Sequence, residues 1–309
     1  MKVAIHSVDG MNYPNLALMR ISAYHKSIGD EVEWFMPMFK YDRVYASKVF
    51  MFTPDDPMLP NDAIRGGTGY DVHSRLPPEI EAMQPDYSIY PQFHQAYGFL
   101  TRGCVNKCPW CVVPAKEGSI HVVSDIVQVS QGRRDIVLMD NNFLASPKEF
   151  VREQLEISRT NKYRIDFNQA LDARRINEEN APLLAKTRWM KYVRIACDYD
   201  EMIGPCINAI RILRRFGLPG DVMVYVLTKN GNDGVASALR RIKALTDADK
   251  RAIPFVMPYR SLTDNSILPN GDVKILARWC NRAWVRKSCS FDDYGKAKIP
   301  DENGQMLLV

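Results

Sequence analysis

Apolar and polar positions along the chain fall into two alternating patterns, short β-like runs and longer stretches with apolar residues three and four apart. "KVAIHSV" predicts a first strand, "NYPNLALMRISAYHKSIG" an amphipathic helix ending near Gly29, and "DEVEWF" and "YDRVYASKVF" two more strands. Residues 53 to 95 are dense in Pro, Gly, Asp and Asn and read as loop and linker with one short helix, which places a domain boundary near residue 95. Six β-like runs follow: "AYGFLTRG", "RDIVLMD", "YRIDFNQA", "KYVRIACD", "GDVMVYVLT" and "AIPFVMPYR", most of them separated by helical spacing. Ser146, Pro147 and Glu149 predict a capping box with Pro in the first turn, and Gly217 with Pro219 ends the helix containing "INAIRILRRF". Such alternation builds α/β barrels or doubly wound sheets, with chemistry at the C-terminal strand ends. The expected organisation is a small α/β domain over 1–95, a β/α domain over 96–260, and a capping extension over 261–309. The tail "DDYGKAKIPDENGQMLLV" reads as a surface segment.

Composition changes this picture little. At 309 residues, 46% hydrophobic and 25% charged, the chain has material for a packed core without disulfides, and disorder is not the default. A net charge of +5 permits a polyanionic partner, but no Lys/Arg block marks a nucleic-acid surface. There is no run of 18 apolar residues, and the first ten residues read as a strand rather than a signal peptide, so a cytoplasmic protein without membrane contact is expected. Seven cysteines, an odd number, then argue for reduced thiols or metal ligands.

Three of the seven lie within "GFLTRGCVNKCPWCVVPAKEG", directly after the first strand of the second domain. Cys104, Cys108 and Cys111 have the spacing C-x3-C-x2-C, from which thiolates on one loop reach a common metal centre. Three ligands leave one position open, whereas a structural zinc or an electron-carrying [4Fe-4S] site takes four. Unrelated buried thiols and a zinc knuckle with a distant fourth ligand are the competing readings.

This motif, with Trp110 just before its last cysteine and six β/α units around it, resembles the radical S-adenosylmethionine (radical SAM) enzymes over about residues 96–260. The resemblance implies a partial (β/α)6, TIM-barrel-like domain and a [4Fe-4S] cluster held by Cys104, Cys108 and Cys111. It further implies S-adenosylmethionine on the fourth iron, and a 5′-deoxyadenosyl radical that abstracts hydrogen from substrate. An electron donor such as flavodoxin or ferredoxin is implied as well. Where the family carries a Gly-Gly-Glu-like segment this chain has "LMDNNFLA", which makes Asp140, Asn141 and Asn142 candidates for cofactor contact. Gln169, Asp172 and Arg174 after the third strand, and Arg194 and Asp198 at the fourth, are the matching candidates for carboxylate, ribose or substrate. A surface ion pair is the competing reading for each of these, Arg174 above all, and a plain turn is the competing reading for the Asp-Asn-Asn run.

The first domain resembles the Rossmann-like, cobalamin-binding-like domain that precedes the barrel in one subgroup. Its loop "HSVDGMNYPN" lacks the D-x-H-x-x-G ligand motif, which argues against cobalamin. "GGTGY" at residues 66–70 reads mainly as a turn, because it does not join a strand to a helix as a dinucleotide fingerprint does. Cys197, Cys206, Cys280 and Cys289 read as structural thiols rather than a second cluster, and the five histidines show no ligand spacing, His94 being the one worth testing. The substrate is open among nucleotide, nucleic acid, peptide and small metabolite. A non-catalytic iron-sulfur or zinc module and a cobalamin-dependent radical SAM methyltransferase are the alternative functions.

Overall fold

The computed structural model describes residues 1–229, 231–261 and 268–296. The chain is mixed α/β, and its principal sheets are parallel.

Strand β1 (Lys2–Ser7) carries Val3, Ala4 and Ile5, all fully buried, and so forms the centre of the first sheet. Helix α1 (Leu16–Ser27) starts where the Asn15 side chain accepts the Leu18 N–H, and its Leu18, Met19 and Ile21 pack in the same cluster as Ile5. The chain stops turning at Gly29, whose φ is +85°. Strands β2 (Glu31–Trp34) and β3 (Arg43–Ser47) then pair with opposite edges of β1, and β4 (Ile64–Gly66) pairs with β3, for a parallel order β2-β1-β3-β4. Strand β4 lies in the stretch expected to be loop. Ile64 and Arg65 are exposed, so its pairing is a backbone matter with no apolar alternation to announce it. The short helix in the linker is α2 (Pro78–Glu81).

The second part begins with β5 (Ala96–Gly98), followed by β6 (Thr101–Arg102), α3 (Val113–Lys116), β7 (His121–Val122) and α4 (Ile126–Ser130). There follow β8 (Asp135–Leu138), α5 (Lys148–Thr160), β9 (Arg164–Phe167), α6 (Ala181–Lys186), β10 (Val193–Ala196), α7 (Ile203–Arg215), β11 (Val222–Thr228), α8 (Asn232–Ala248) and β12 (Ala252–Pro258). The six predicted strands form two parallel sheets, β5-β8-β9 and β10-β11-β12. A parallel bridge between Leu171 and Ile195 links them, so the strands follow one another in space as they do in sequence. One face buries Ile136, Leu138, Ile165, Phe167, Ile195 and Val224 in the core shared with the helices. The other carries polar groups: Arg194 reaches Asp166 at 2.6 and 2.7 Å and the Tyr225 hydroxyl at 3.1 Å.

The predicted stop of α7 is present, with Gly217 at φ +87°. The predicted capping box is not: α5 begins after Pro147 without a side-chain cap, and the Ser146 hydroxyl donates to Phe143 O at 2.5 Å. Ser146 closes the short 3-10 turn Phe143–Ala145, and that nearer carbonyl takes its proton. Past β12, helix α9 (Gly271–Asn281) covers the outer strand. The Asn281 amide accepts Val256 N–H at 2.7 Å and donates to Val256 O at 3.0 Å, which satisfies backbone groups on that edge. The described chain ends with α10 (Ala283–Ser288) and α11 (Phe291–Lys296); the tail predicted as a surface segment lies outside the described residues from 297 on. Among the described residues no helix is long and apolar enough to cross a membrane.

Candidate functional site

The cysteine loop leaves β6 and returns at β7, and the antiparallel pairing of Thr101 with Val122 and Arg102 with His121 closes its base. Gly103 turns the chain into the loop at φ +80°, where a Cβ would stand 2.2 Å from Ser119 O, so the position admits glycine alone. Cys104 N–H then donates to Gly118 O at 3.1 Å, and Gly103 N–H to Asn141 Oδ1 at 3.1 Å. Beneath the loop Asp140 is fully buried. Its carboxylate accepts Leu100 N–H at 3.1 Å, Thr101 N–H at 2.6 Å and the Thr101 hydroxyl at 2.7 Å. Burial pushes this carboxyl up to about 6, although the bonds from Thr101 and Leu100 pull the other way. Asp140 thus clamps the start of the loop.

The three thiols are half-buried and free of disulfides. Cys104 Sγ accepts Asn106 N–H at 3.3 Å and the Asn142 amide at 3.4 Å, and Cys111 Sγ accepts Val113 N–H at 3.5 Å. Burial first, then the neighbouring thiols and Asp198, raise Cys108 and Cys111 above the ordinary thiol range. The three therefore share one electrostatic neighbourhood. Among the described residues no three His, Cys, Asp or Glu side chains stand close enough to hold one metal ion.

Asp172, after β9, ties the loop to the strand ends. It accepts the Asn106 amide at 3.1 Å, the Asn142 amide at 3.4 Å and the Arg174 guanidinium at 2.8 and 2.7 Å. Burial pushes Asp172 up, but Arg174 and Asn106 outweigh it and leave the carboxyl below its usual range. Asn142 is buried, and its carbonyl oxygen Oδ1 has no hydrogen-bond partner among the described residues. Burial raises the Asp198 carboxyl, against the pull of Arg241, the Trp110 indole and Arg174. Trp110 itself packs edge-on against Tyr199 at 5.8 Å, with Lys229 Nζ 5.4 Å from its ring.

Of the predicted residues, Trp110, Asn142, Asp172, Arg174 and Asp198 gather around the thiols. Asn141 and Asp140 support the loop from below. Gln169 is exposed beside Asn168, and Arg194 is engaged lower on the sheet with Asp166. Ala170, next to Gln169, holds a positive φ of 72° at 6% exposure, a strained turn that brings Leu171 onto the β10 backbone. Sequence reasoning missed Asn106, whose place inside the C-x3-C spacing was its signal. It also missed Arg241, which is buried in α8 and donates to Cys197 O at 2.5 Å and Leu227 O at 2.9 Å. Cys197, Cys206 and Cys280 are buried in the core, Cys289 is half-buried, and His94 is exposed before β5. No protein-family model matches this chain, and no curated protein matches it in sequence.

Proposed function

We propose that the chain is a radical SAM enzyme, its second part a partial (β/α)6 barrel and its first a Rossmann-like domain. Cys104, Cys108 and Cys111 would hold a [4Fe-4S] cluster with one iron left for S-adenosylmethionine. The observation that carries the reading is a clamped loop with three reduced, mutually interacting thiols at the C-terminal end of the first of six parallel strands in chain order. The reading does not ask the thiols to converge on one ion, because each binds a different iron. When bound, the cluster and S-adenosylmethionine supply reductive C–S cleavage and hydrogen abstraction.

The residues present fit such a group. The unpartnered Asn142 Oδ1 is a buried acceptor suited to an ammonium group, and its amide stays on Cys104 and Asp172. Arg174, partly exposed and fixed by Asp172, brings positive charge beside Cys108. The Trp110 indole, packed on Tyr199, bonds Asp198 and would fix that buried carboxyl beside the thiols. Asp140 and Asn141 act by holding Leu100 to Gly103 in place, which makes them positioning residues.

The test is anaerobic reconstitution with iron and sulfide, then S-adenosylmethionine and a strong reductant, with mass spectrometry for 5′-deoxyadenosine. Alanine at any one of Cys104, Cys108 and Cys111 is expected to abolish both cluster absorbance and product, while alanine at Cys280 or Cys289 leaves both. Equal loss at all five positions overturns the single-cluster reading, and a fully loaded cluster that binds but never cleaves S-adenosylmethionine sinks the enzymatic reading in favour of an iron-sulfur binding module.

A further inference from the structure

In the first sheet the chain leaves β1 for β2 on one side and returns to β3 on the other, so β1 and β3 enclose a topological switch point. Open parallel sheets bind ligands in the crevice at the carboxyl ends of such strands. Here Asn15, after β1, donates to the Ser47 hydroxyl, at the end of β3, at 2.9 Å across that crevice. Both line a cavity of about 520 Å³ that continues to Phe99 and Met139 at the ends of β5 and β8 and to Lys116 of the cysteine loop. The volume suits a small ligand.

The lining combines an apolar floor with surplus positive charge. Leu16, Ile80, Phe99 and Met139 contribute apolar surface. Five cations, Arg20, Arg65, Arg75, Arg102 and Lys116, face two carboxylates, Glu81 and Glu117. Glu81 is shared by Arg20 and Arg102, and Glu117 stands 3.4 Å from Arg102 Nε, so among the described residues Arg65, Arg75 and Lys116 form no ion pair with a cavity carboxylate. The Arg20 Nε is buried without a hydrogen-bond partner among the described residues. Among the described residues the Lys116 ammonium is hydrogen-bonded only to a neutral carbonyl, Ser74 O at 2.5 Å, and the Arg75 guanidinium donates to Lys116 O, so two cations are held side by side. Burial first, then Arg75 and Arg102, lower the Lys116 ammonium below its usual range against the pull of Glu117 and Asp71. The "GGTGY" turn supplies the near wall. Gly67, at φ +95°, lies so close to β3 that a Cβ would stand 2.4 Å from Lys48 O, and this close approach sets Thr68 at the crevice.

We infer that this crevice binds a nucleoside monophosphate, its base on the apolar floor around Phe99 and Met139 and its phosphate among Arg75, Lys116 and Arg20. A mononucleotide fits because the cations and the apolar floor line one cavity of small-ligand size. The binding stands by itself; that the bound nucleotide is the substrate presented to the cysteine loop rests on the function proposed above.

The experiment is isothermal titration of the cluster-free full chain with AMP, GMP, CMP and UMP, the matching nucleosides, and inorganic phosphate. At least one monophosphate is expected to bind tenfold or more tightly than its nucleoside and than phosphate, and to weaken as salt is added. Lys116→Ala removes a charged contact and should weaken binding about tenfold. Ile64→Glu, at an exposed position on the crevice wall, leaves the fold intact and should weaken it by repulsion, while Arg251→Ala, outside the cavity, should not. No monophosphate binding at 1 mM, equal affinity for the nucleoside, or Ile64→Glu binding as wild type overturns the inference. Because the titration uses no cluster, nucleotide binding without 5′-deoxyadenosine would sink the proposed reaction alone, and the converse would sink this site alone.

Discussion

Replacing Asp140 by alanine tests whether that carboxylate is a clamp or a cofactor contact. The change strips partners from two buried backbone N–H groups, Leu100 and Thr101, and from the Thr101 hydroxyl, in a segment with no water access. At about 1–3 kcal/mol for each buried donor left unpaired, the two N–H groups alone cost ~2–6 kcal/mol. The carboxylate has its own cost. Its pKa, pushed up from the ordinary 3.8 to about 6 by burial, means that folding favours the protonated acid, so the contribution of this one group is most favourable below pH 4 and is lost as pH rises through 6. Across the whole span that loss is ~3 kcal/mol, of which about 1.4 kcal/mol falls between pH 5 and pH 8. The advantage of wild type over Asp140→Ala should therefore be largest at pH 5 and shrink by about that amount at pH 8. Urea unfolding at the two pH values measures both numbers. A variant within ~0.5 kcal/mol of wild type at pH 5 refutes the clamp, and a difference that does not change with pH refutes the burial-raised carboxyl.

Gly103→Ala places a Cβ against Ser119 O at a positive φ and is expected to cost ~1–3 kcal/mol and to lower the iron bound per chain after reconstitution, read by metal analysis. Arg194→Ala leaves the Asp166 carboxylate, 8% exposed, without its guanidinium; a loss of about 3–5 kcal/mol in urea unfolding is expected, largely recovered in Asp166→Leu/Arg194→Met. Iodoacetamide on the cluster-free protein at pH 8 should modify Cys104, Cys108 and Cys111 well before Cys197, Cys206 and Cys280, the last of which burial pushes up to about 11. Early label on Cys280 in a peptide map would contradict the buried placement.

The strands of the second part were legible because they are locally apolar: β8 and β9 each bury three residues in a row, and β11 buries every second residue from Val222 to Thr228. Strand β4 was not, since its side chains are exposed and only its backbone pairs. The S-x-x-E spacing at Ser146 misled for a related reason. A spacing specifies which groups are near in sequence, but the hydroxyl takes the nearest free acceptor, and the preceding turn supplied Phe143 O first.

The same competition divides the candidate site. The cysteines were readable because their spacing is local to one loop. Their surroundings join three separate loops at the ends of β6, β8 and β9, where Asn106, Asn142 and Asp172 meet, and no local pattern records that meeting. Within "DNN" the sequence offers three equivalent polar groups at a strand end. Asp140 is taken by Leu100 and Thr101, and Asn141 by Gly103. Asn142 alone of the three gives its amide to Cys104 and Asp172 and keeps a buried oxygen unused. An acceptor already engaged by the fold has nothing to offer an ammonium group, so of the run it is Asn142, the residue furthest from the strand, that a cofactor would meet.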